Sequence, residues 1–325
     1  MLCWCDCLYF RVKHDNHKFY LPAMKHLQKT EHTILYRLSQ LLSLLLGARI
    51  FVLIFLMFTL YVSTIFLISQ EADLRKIVFD IKIHGIIFCS ILSIAAGGLI
   101  NQFYDKEKDK MIMPFRSNLQ RFLKQKYFLY FYLILNFLSL GIAAFLSFRI
   151  FIFFVIYQFV IWLYSHKLSK ILLVNNLTYV LLSLYPFFGM LVYHQHFSVK
   201  LFWMAIFLFF LLLTIDVIKD LLTKKADLVF GYKTIPIVFG EKKTLNSLIV
   251  LLVVNMIVSG FIIESMDVKF YAYYFMSSII LFIFLIFPLM SFKASSWFWI
   301  AHVLRLWVFV GVVFMLLNGI TGYTG

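Results

Sequence analysis

Nine apolar runs, each about as long as a bilayer is thick, alternate along this chain with short basic segments. They fall near residues 48–69, 84–103, 127–147, 150–165, 171–194, 200–218, 245–263, 268–292 and 296–318. A helix rising about 1.5 Å per residue needs roughly 20 apolar residues to cross the hydrocarbon. One soluble core cannot absorb this much apolar chain: 63% of the 325 residues are hydrophobic and 14% charged, against about 45–50% and 25% in soluble domains. Inside lipid every backbone polar group needs an internal partner, so runs of this length are helices. The expected fold class is an all-α integral membrane protein, a bundle of about nine transmembrane helices. The third and fourth runs join so tightly around Arg149 that the count is nine give or take one.

The formal net charge is +15. In a soluble protein such a balance would point to nucleic acid. Here the basic residues sit between apolar runs, where they set topology and face anionic headgroups, so no nucleic-acid partner is expected. Lys106, Lys108, Lys110, Arg116, Arg121, Lys124 and Lys126 follow the second run, Lys167 and Lys170 the fourth, and Lys219, Lys224, Lys225, Lys233, Lys242 and Lys243 the sixth. Loops after odd runs are poorer in Lys and Arg. The positive-inside rule therefore puts the amino terminus and the even loops in the cytoplasm and the carboxyl terminus outside, and the cell membrane is the expected location.

Residues 1–46 read as a cytoplasmic leader, partly disordered, and residues 47–325 as the transmembrane domain. Cys3, Cys5 and Cys7 lack zinc-site spacing. The leader has no long apolar stretch ending at a small-residue cleavage site, so it is not a typical signal peptide, and Met24 is an alternative start.

Two acidic clusters stand out in a chain with few acids. Asn101, Asp105 and Asp109 are spaced i, i+4, i+8 at the end of the second run, which stacks them on one helix face. Asp216, Asp220 and Asp227 end the sixth run. Four crossings lie between the clusters, so both reach the same membrane side. Magnesium takes hard oxygen ligands, commonly one or two carboxylates together with substrate phosphates. Two such faces suit two ions around one diphosphate. Taken singly, either cluster reads equally well as acids neutralising neighbouring lysines.

Asn101-xxx-Asp105-xxx-Asp109 resembles the first motif of the UbiA superfamily of intramembrane prenyltransferases. Ile218-Lys219-Asp220, with Asp227-xxx-Gly231-Tyr232-Lys233-Thr234-Ile235-Pro236, is similar to the second. Tyr164-Ser165-His166-Lys167-Leu168, followed by Asn175 or Asn176, resembles a third stretch of the family. The resemblance runs from Arg49 to the last helix. It implies a nine-span bundle with a central lipid-open cavity. It further implies Mg2+-dependent transfer of a prenyl group from a polyprenyl diphosphate to a lipophilic acceptor, either a quinone-precursor aromatic or a glycerophosphate lipid. By position, Asp105, Asp109, Asp220 and Asp227 would be the catalytic metal ligands. Asn101, Arg49, Arg116, Tyr164, Lys167 and Lys219 would bind the substrate.

The chain departs from that pattern in places. Thr223 stands where many relatives carry an aspartate, which puts a second metal site in question. Asp216 replaces a common Glu, and Ile50 replaces the proline that often follows the arginine matched by Arg49. Thr223 keeps open a non-catalytic prenyl-diphosphate binder. The other competing class is an ion-coupled transporter or lipid-binding membrane protein, which calls for acids near the midplane on discontinuous helices, whereas these acids lie at helix ends. His302 and Arg305 are the ionisable residues in the last run, and charge inside a membrane is a functional hint.

Overall fold

A computed structural model of the chain describes residues 34–68, 74–120, 122–195, 197–265, 269–291 and 293–324. The leader cysteines and Met24 lie outside these residues. Among them, nine helices are long and apolar enough to cross a membrane. The spans are α2 (Ile50–Ser63, prolonged by a wider turn over Thr64–Ile68), α4 (Ile81–Tyr104), α7 (Gln125–Leu146) and α8 (Phe148–His166). They continue with α9 (Val174–His194), α10 (Val199–Val229), α12 (Glu241–Ser265), α13 (Lys269–Leu289) and α14 (Ala294–Thr324). Shorter helices connect them: α1 (Ile34–Gly47), α3 (Leu74–Val78), α5 (Lys106–Ile112), α6 (Pro114–Gln120) and α11 (Ile235–Val238). The protein is therefore a multi-pass, all-helical membrane bundle. Residues 34–46, read from sequence as part of the leader, are helical and lean on α6 and α4.

Local chemistry sets the span boundaries. Asp80, Ser147 and Ser198 each accept a hydrogen bond from a first-turn amide of the helix that follows, at 2.8, 3.2 and 3.2 Å, satisfying donors that have no partner inside the helix. Outward residues are apolar, as lipid requires: Phe145 is 92% and Phe137 73% exposed. Between helices small polar side chains meet, with Ser93 and Ser139 at 3.1 Å and Gln158 donating to Ser93 at 3.2 Å. Each such contact adds about 0.6 kcal/mol in a membrane.

Six spans close a ring in which α2 packs on α4, α4 on α8, α8 on α9, α9 on α10, α10 on α14, and α14 back on α2. Helix α7 lies outside α4 and α8, and α12 and α13 lie outside α10 and α14. Two apolar cores result. One gathers α2, α4, α7 and α8 around Leu60, Ile86 and Phe154. The other gathers α10, α12, α13 and α14 around Leu211, Leu248, Phe282 and Leu304. The space between them is a cavity with about 1850 Å³ of empty volume, open mouth included, lined from every helix of the ring.

Candidate active site

One wall of the cavity comes from the junction of α4 and α5. Asp105 sits at the join, with φ −96° and ψ 10°. Its amide still bonds to the Asn101 carbonyl at 2.8 Å, and the Asp109 amide to the Asp105 carbonyl at 2.8 Å. The helical register thus survives the join, and Asn101, Asp105 and Asp109 all line the cavity. Glu107 points to solvent, where a hydrogen bond from Lys110 pulls its carboxyl below the usual range.

The facing wall is the lower half of α10. Asp216, Asp220 and Asp227 are buried, at 1%, 2% and 1% exposure. Buried carboxylates need strong donors, and each has them. Asn176 donates to Asp216 at 2.8 Å and to Asp220 at 2.9 Å, while Asn175 reaches Asp220 at 3.4 Å. Lys219 pairs closely with Asp216 and stands 3.8 Å from Asp220. Thr223 donates to Asp227 at 2.7 Å, and Lys108 crosses from the first wall to pair with Asp227 at 2.6 Å. Asp220, Lys219 and Thr223 line the cavity, whereas Asp227 lies just behind the lining.

Beyond α10 the chain must turn back sharply. Gly231 does this at φ +71°, a left-handed geometry that a side chain disfavours. The Tyr232 amide then bonds to the Asp227 carbonyl at 2.9 Å, and the Tyr232 phenol donates to Asp105. Burial pushes this phenol well above its ordinary pKa, and the Asp105 charge adds to the shift. Tyr232 therefore stays a donor. Lys108 sits over its ring at 3.6 Å.

Arg49 begins α2 in a left-handed conformation, φ 58° and ψ 52°, which costs a non-glycine residue about 1–3 kcal/mol. Two contacts hold this turn. Arg116 donates to the Leu46 carbonyl at 2.8 Å, and Gly98 on α4 lets the Gly47 carbonyl approach so closely that an added Cβ would meet it at 2.8 Å. Arg49, Arg116 and Tyr164 line the cavity. Lys167 is not among the lining residues: α8 ends at His166, and the turn that follows leaves Lys167 exposed. Lys108, Tyr232 and Ser169, for which the sequence alone gives no role in the site, also line the cavity. Phe298 and Arg305 add the last span to it, and Arg305 is only 4% exposed.

The cavity is polar at one end, with carboxylates on two walls and cations among them, and apolar elsewhere through Val52, Leu56, Ile94, Ile161 and Leu182. Among the described residues no three Asp, Glu, His or Cys side chains cluster closely enough to hold a metal ion alone. The donors still suit magnesium. Asp105, Asp109 and Asp220 offer hard oxygens to one space, and a bound phosphate can complete an octahedral shell that protein ligands leave open.

The model of the UbiA prenyltransferase family matches residues 56–302. Digeranylgeranylglyceryl phosphate synthase of Pyrococcus furiosus is 30% identical over half of this chain and 59% of its own length. The Pyrococcus abyssi protein of that name is 27% identical over 49% of this chain and 57% of its own length. The chain thus spans less than two thirds of the length of the curated relatives it matches. Among solved structures, one described for digeranylgeranylglyceryl phosphate synthase in membranes superposes with TM-score 0.67 at 20% identity, over 87% of this chain and 99% of that one. A UbiA homologue from Archaeoglobus fulgidus bound to GPP and Mg2+ superposes with TM-score 0.64 at 15% identity, over 87% of this chain and all of that one.

Proposed function

The chain belongs to the UbiA prenyltransferase family, and from that premise we propose that it transfers a prenyl group from a polyprenyl diphosphate to a lipophilic acceptor inside the membrane. The observation that carries this reading is the pairing of Asp105 and Asp109 on one wall with Asp220 on the other, at the polar end of an otherwise apolar cavity. A diphosphate with a long hydrocarbon tail has that same division of polarity. Its head belongs at the carboxylates, with Asn101, Arg49, Tyr164 and Lys219 around it, and its tail against Val52, Leu56 and Ile161. Bound magnesium, held by Asp105, Asp109 and Asp220, would neutralise charge on the leaving diphosphate. The bond from prenyl carbon to diphosphate oxygen breaks, and its electron pair leaves with the diphosphate. The acceptor's nucleophilic atom bonds to that carbon and gives up a proton. The apolar walls keep water from the allylic cation.

Two curated relatives are named as digeranylgeranylglyceryl phosphate synthases, and a homologue of the same fold carries GPP and Mg2+. These names favour a glycerophosphate lipid over a quinone-precursor aromatic as the acceptor. The basic loops flanking the carboxylate end support a reading in which that end, and the amino-terminal segment, face the cytoplasm at the cell membrane.

The test is product formation in membranes supplied with prenyl diphosphates and both acceptor classes. Losing a metal contact costs several kcal/mol, so Asp105→Ala and Asp109→Ala are expected to lower the rate by about two to three orders of magnitude. Glu107→Ala, on the solvent side, is expected to stay near wild type. Chelation of divalent ions should reproduce the aspartate variants. Wild-type rates in both alanine variants would refute the assignment.

A further inference from the structure

The two-wall site has an asymmetry that the spacing of its acids hides. On the α10 wall, Asp227 is already served on both oxygens. Thr223 donates to Oδ2 at 2.7 Å, and the Lys108 ammonium stands 2.6 Å from Oδ1. Lys108 is not a surface lysine that happens to reach an acid. Its side chain is only 16% exposed, it lines the cavity, and its Nζ lies 3.6 Å from the centre of the Tyr232 ring. That ring belongs to the same residue whose hydroxyl donates to Asp105. Lys108 is thus placed between the two carboxylate walls, ion-paired with one and linked through Tyr232 to the other.

A divalent ion cannot share this place. At the few ångströms that would separate them, an ammonium and a dication repel strongly in a buried setting. The ammonium also has the advantage of tethering: α5 holds it beside Asp227 at an effective concentration far above that of free magnesium. With Thr223 in place of a carboxylate, Asp227 is the one acid of α10 between Leu221 and Val229, and the ammonium already pairs with it. Asp105, Asp109 and Asp220 are the acids that line the cavity itself, enough for one ion held with phosphate oxygens.

We propose that the Lys108 ammonium takes the place of a second magnesium ion, so that this site binds a diphosphate with one divalent ion and one resident lysine. An ammonium is a compact charge with three donors and is well suited to a phosphate oxygen. This inference rests on the prenyl-diphosphate reading above, and it makes Lys108 a catalytic residue that touches the leaving group.

Counting ions tests it without turnover. The purified full chain in lipid nanodiscs is titrated with Mn2+ in the presence of a non-reactive prenyl thiolodiphosphate, and bound Mn2+ is counted by paramagnetic resonance. Wild type is expected to take up one ion per chain. Lys108→Met is expected to bind the analogue at least tenfold more weakly, and Lys108→Arg to recover most of that loss. Lys108→Met combined with Thr223→Asp, which removes the ammonium and adds a carboxylate, is expected to take up two ions. Lys110→Met, on the solvent side, should match wild type throughout. Two ions in wild type, or undiminished analogue affinity in a folded Lys108→Met, would overturn the inference while leaving the prenyl-diphosphate reading intact. If wild type takes up no ion with the analogue, both fall. The wild-type count needs no variant, so it decides the matter even if Lys108→Met fails to fold.

Discussion

Tyr232 joins the two halves of the site. Its hydroxyl reaches Asp105 on one wall, and its ring carries Lys108, which is paired to Asp227 on the other. Removing the hydroxyl and keeping the ring separates these two roles. A hydrogen bond to a charged group is worth about 1.5–3 kcal/mol, so Tyr232→Phe is expected to lower turnover by about ten- to a hundredfold. The buried phenol is held well above its ordinary pKa, and it keeps its proton at every pH below about 10. The ratio of variant to wild-type rate should therefore be flat from about pH 6 to 9. A ratio that approached one on the alkaline side of that window would mean that the phenol ionises there. None of this was legible in the sequence. Tyr232 and Asp105 lie far apart along the chain, as do Lys108 and Asp227, and nothing local marks either pairing. Asn101, Asp105 and Asp109 were legible because helical periodicity alone puts them on one face. The direction of Lys167 was not legible, because a position in a motif carries no direction once the helix has ended one residue earlier.

The elements repeat this division between what periodicity dictates and what packing decides. Spans end where the apolar runs end in most cases. Helix α10 is the exception, since its apolar run stops near residue 218 but the helix continues to Val229. The charges that close the apolar run do not close the helix, because they are matched in pairs. Lys219 meets Asp216 and Asp220, Asp227 meets Lys108, and Lys224 meets Glu241. The added turns carry Asp220 and Thr223 along the cavity wall. The opposite wall depends on a close approach instead. At Gly98 an added Cβ would meet the Gly47 carbonyl oxygen at 2.8 Å, and backbone cannot step aside as a flexible side chain can. Gly98→Ala is therefore expected to push the Arg49 turn away from α4, at about 1–3 kcal/mol. Gly141→Ala, in α7 with open space at its Cβ, should be neutral or stabilising by up to about 1 kcal/mol. Thermal unfolding in detergent ranks the two. Equal melting temperatures would show that the turn adjusts without strain. The activity of Gly98→Ala should fall further than its stability, because Arg49 lines the site.

At the scale of the whole molecule, an odd number of spans decides how charge and site relate. If each of the nine membrane-length helices among the described residues crosses once, the loops after even spans lie together with the segment before the first span. That side carries Lys106, Lys108, Lys110 and Lys124 after the second span, Lys167 and Lys170 after the fourth, and Lys224, Lys225 and Lys233 at the end of the sixth. The opposite side has Arg75, Lys76 and Lys82 after the first span and single basic residues, Arg149, Lys200 and Lys269, after the later ones. The same basic side holds Asp105, Asp109 and the end of α10, so the ring of six spans has a polar, basic mouth at one face and apolar walls below it. Because basic loops are retained in the cytoplasm during insertion, the mouth should face the cytoplasm, where a charged diphosphate can reach it without crossing lipid. A reporter active only outside the cytoplasm is expected to give signal when fused after Gly325 and none when fused after Lys124. The two fusions lie on opposite sides of an odd number of crossings, so they should always disagree. Agreement between them would contradict the nine-span topology itself. Signal after Lys124 and silence after Gly325 would preserve the topology but invert it, and with it the face from which the diphosphate enters.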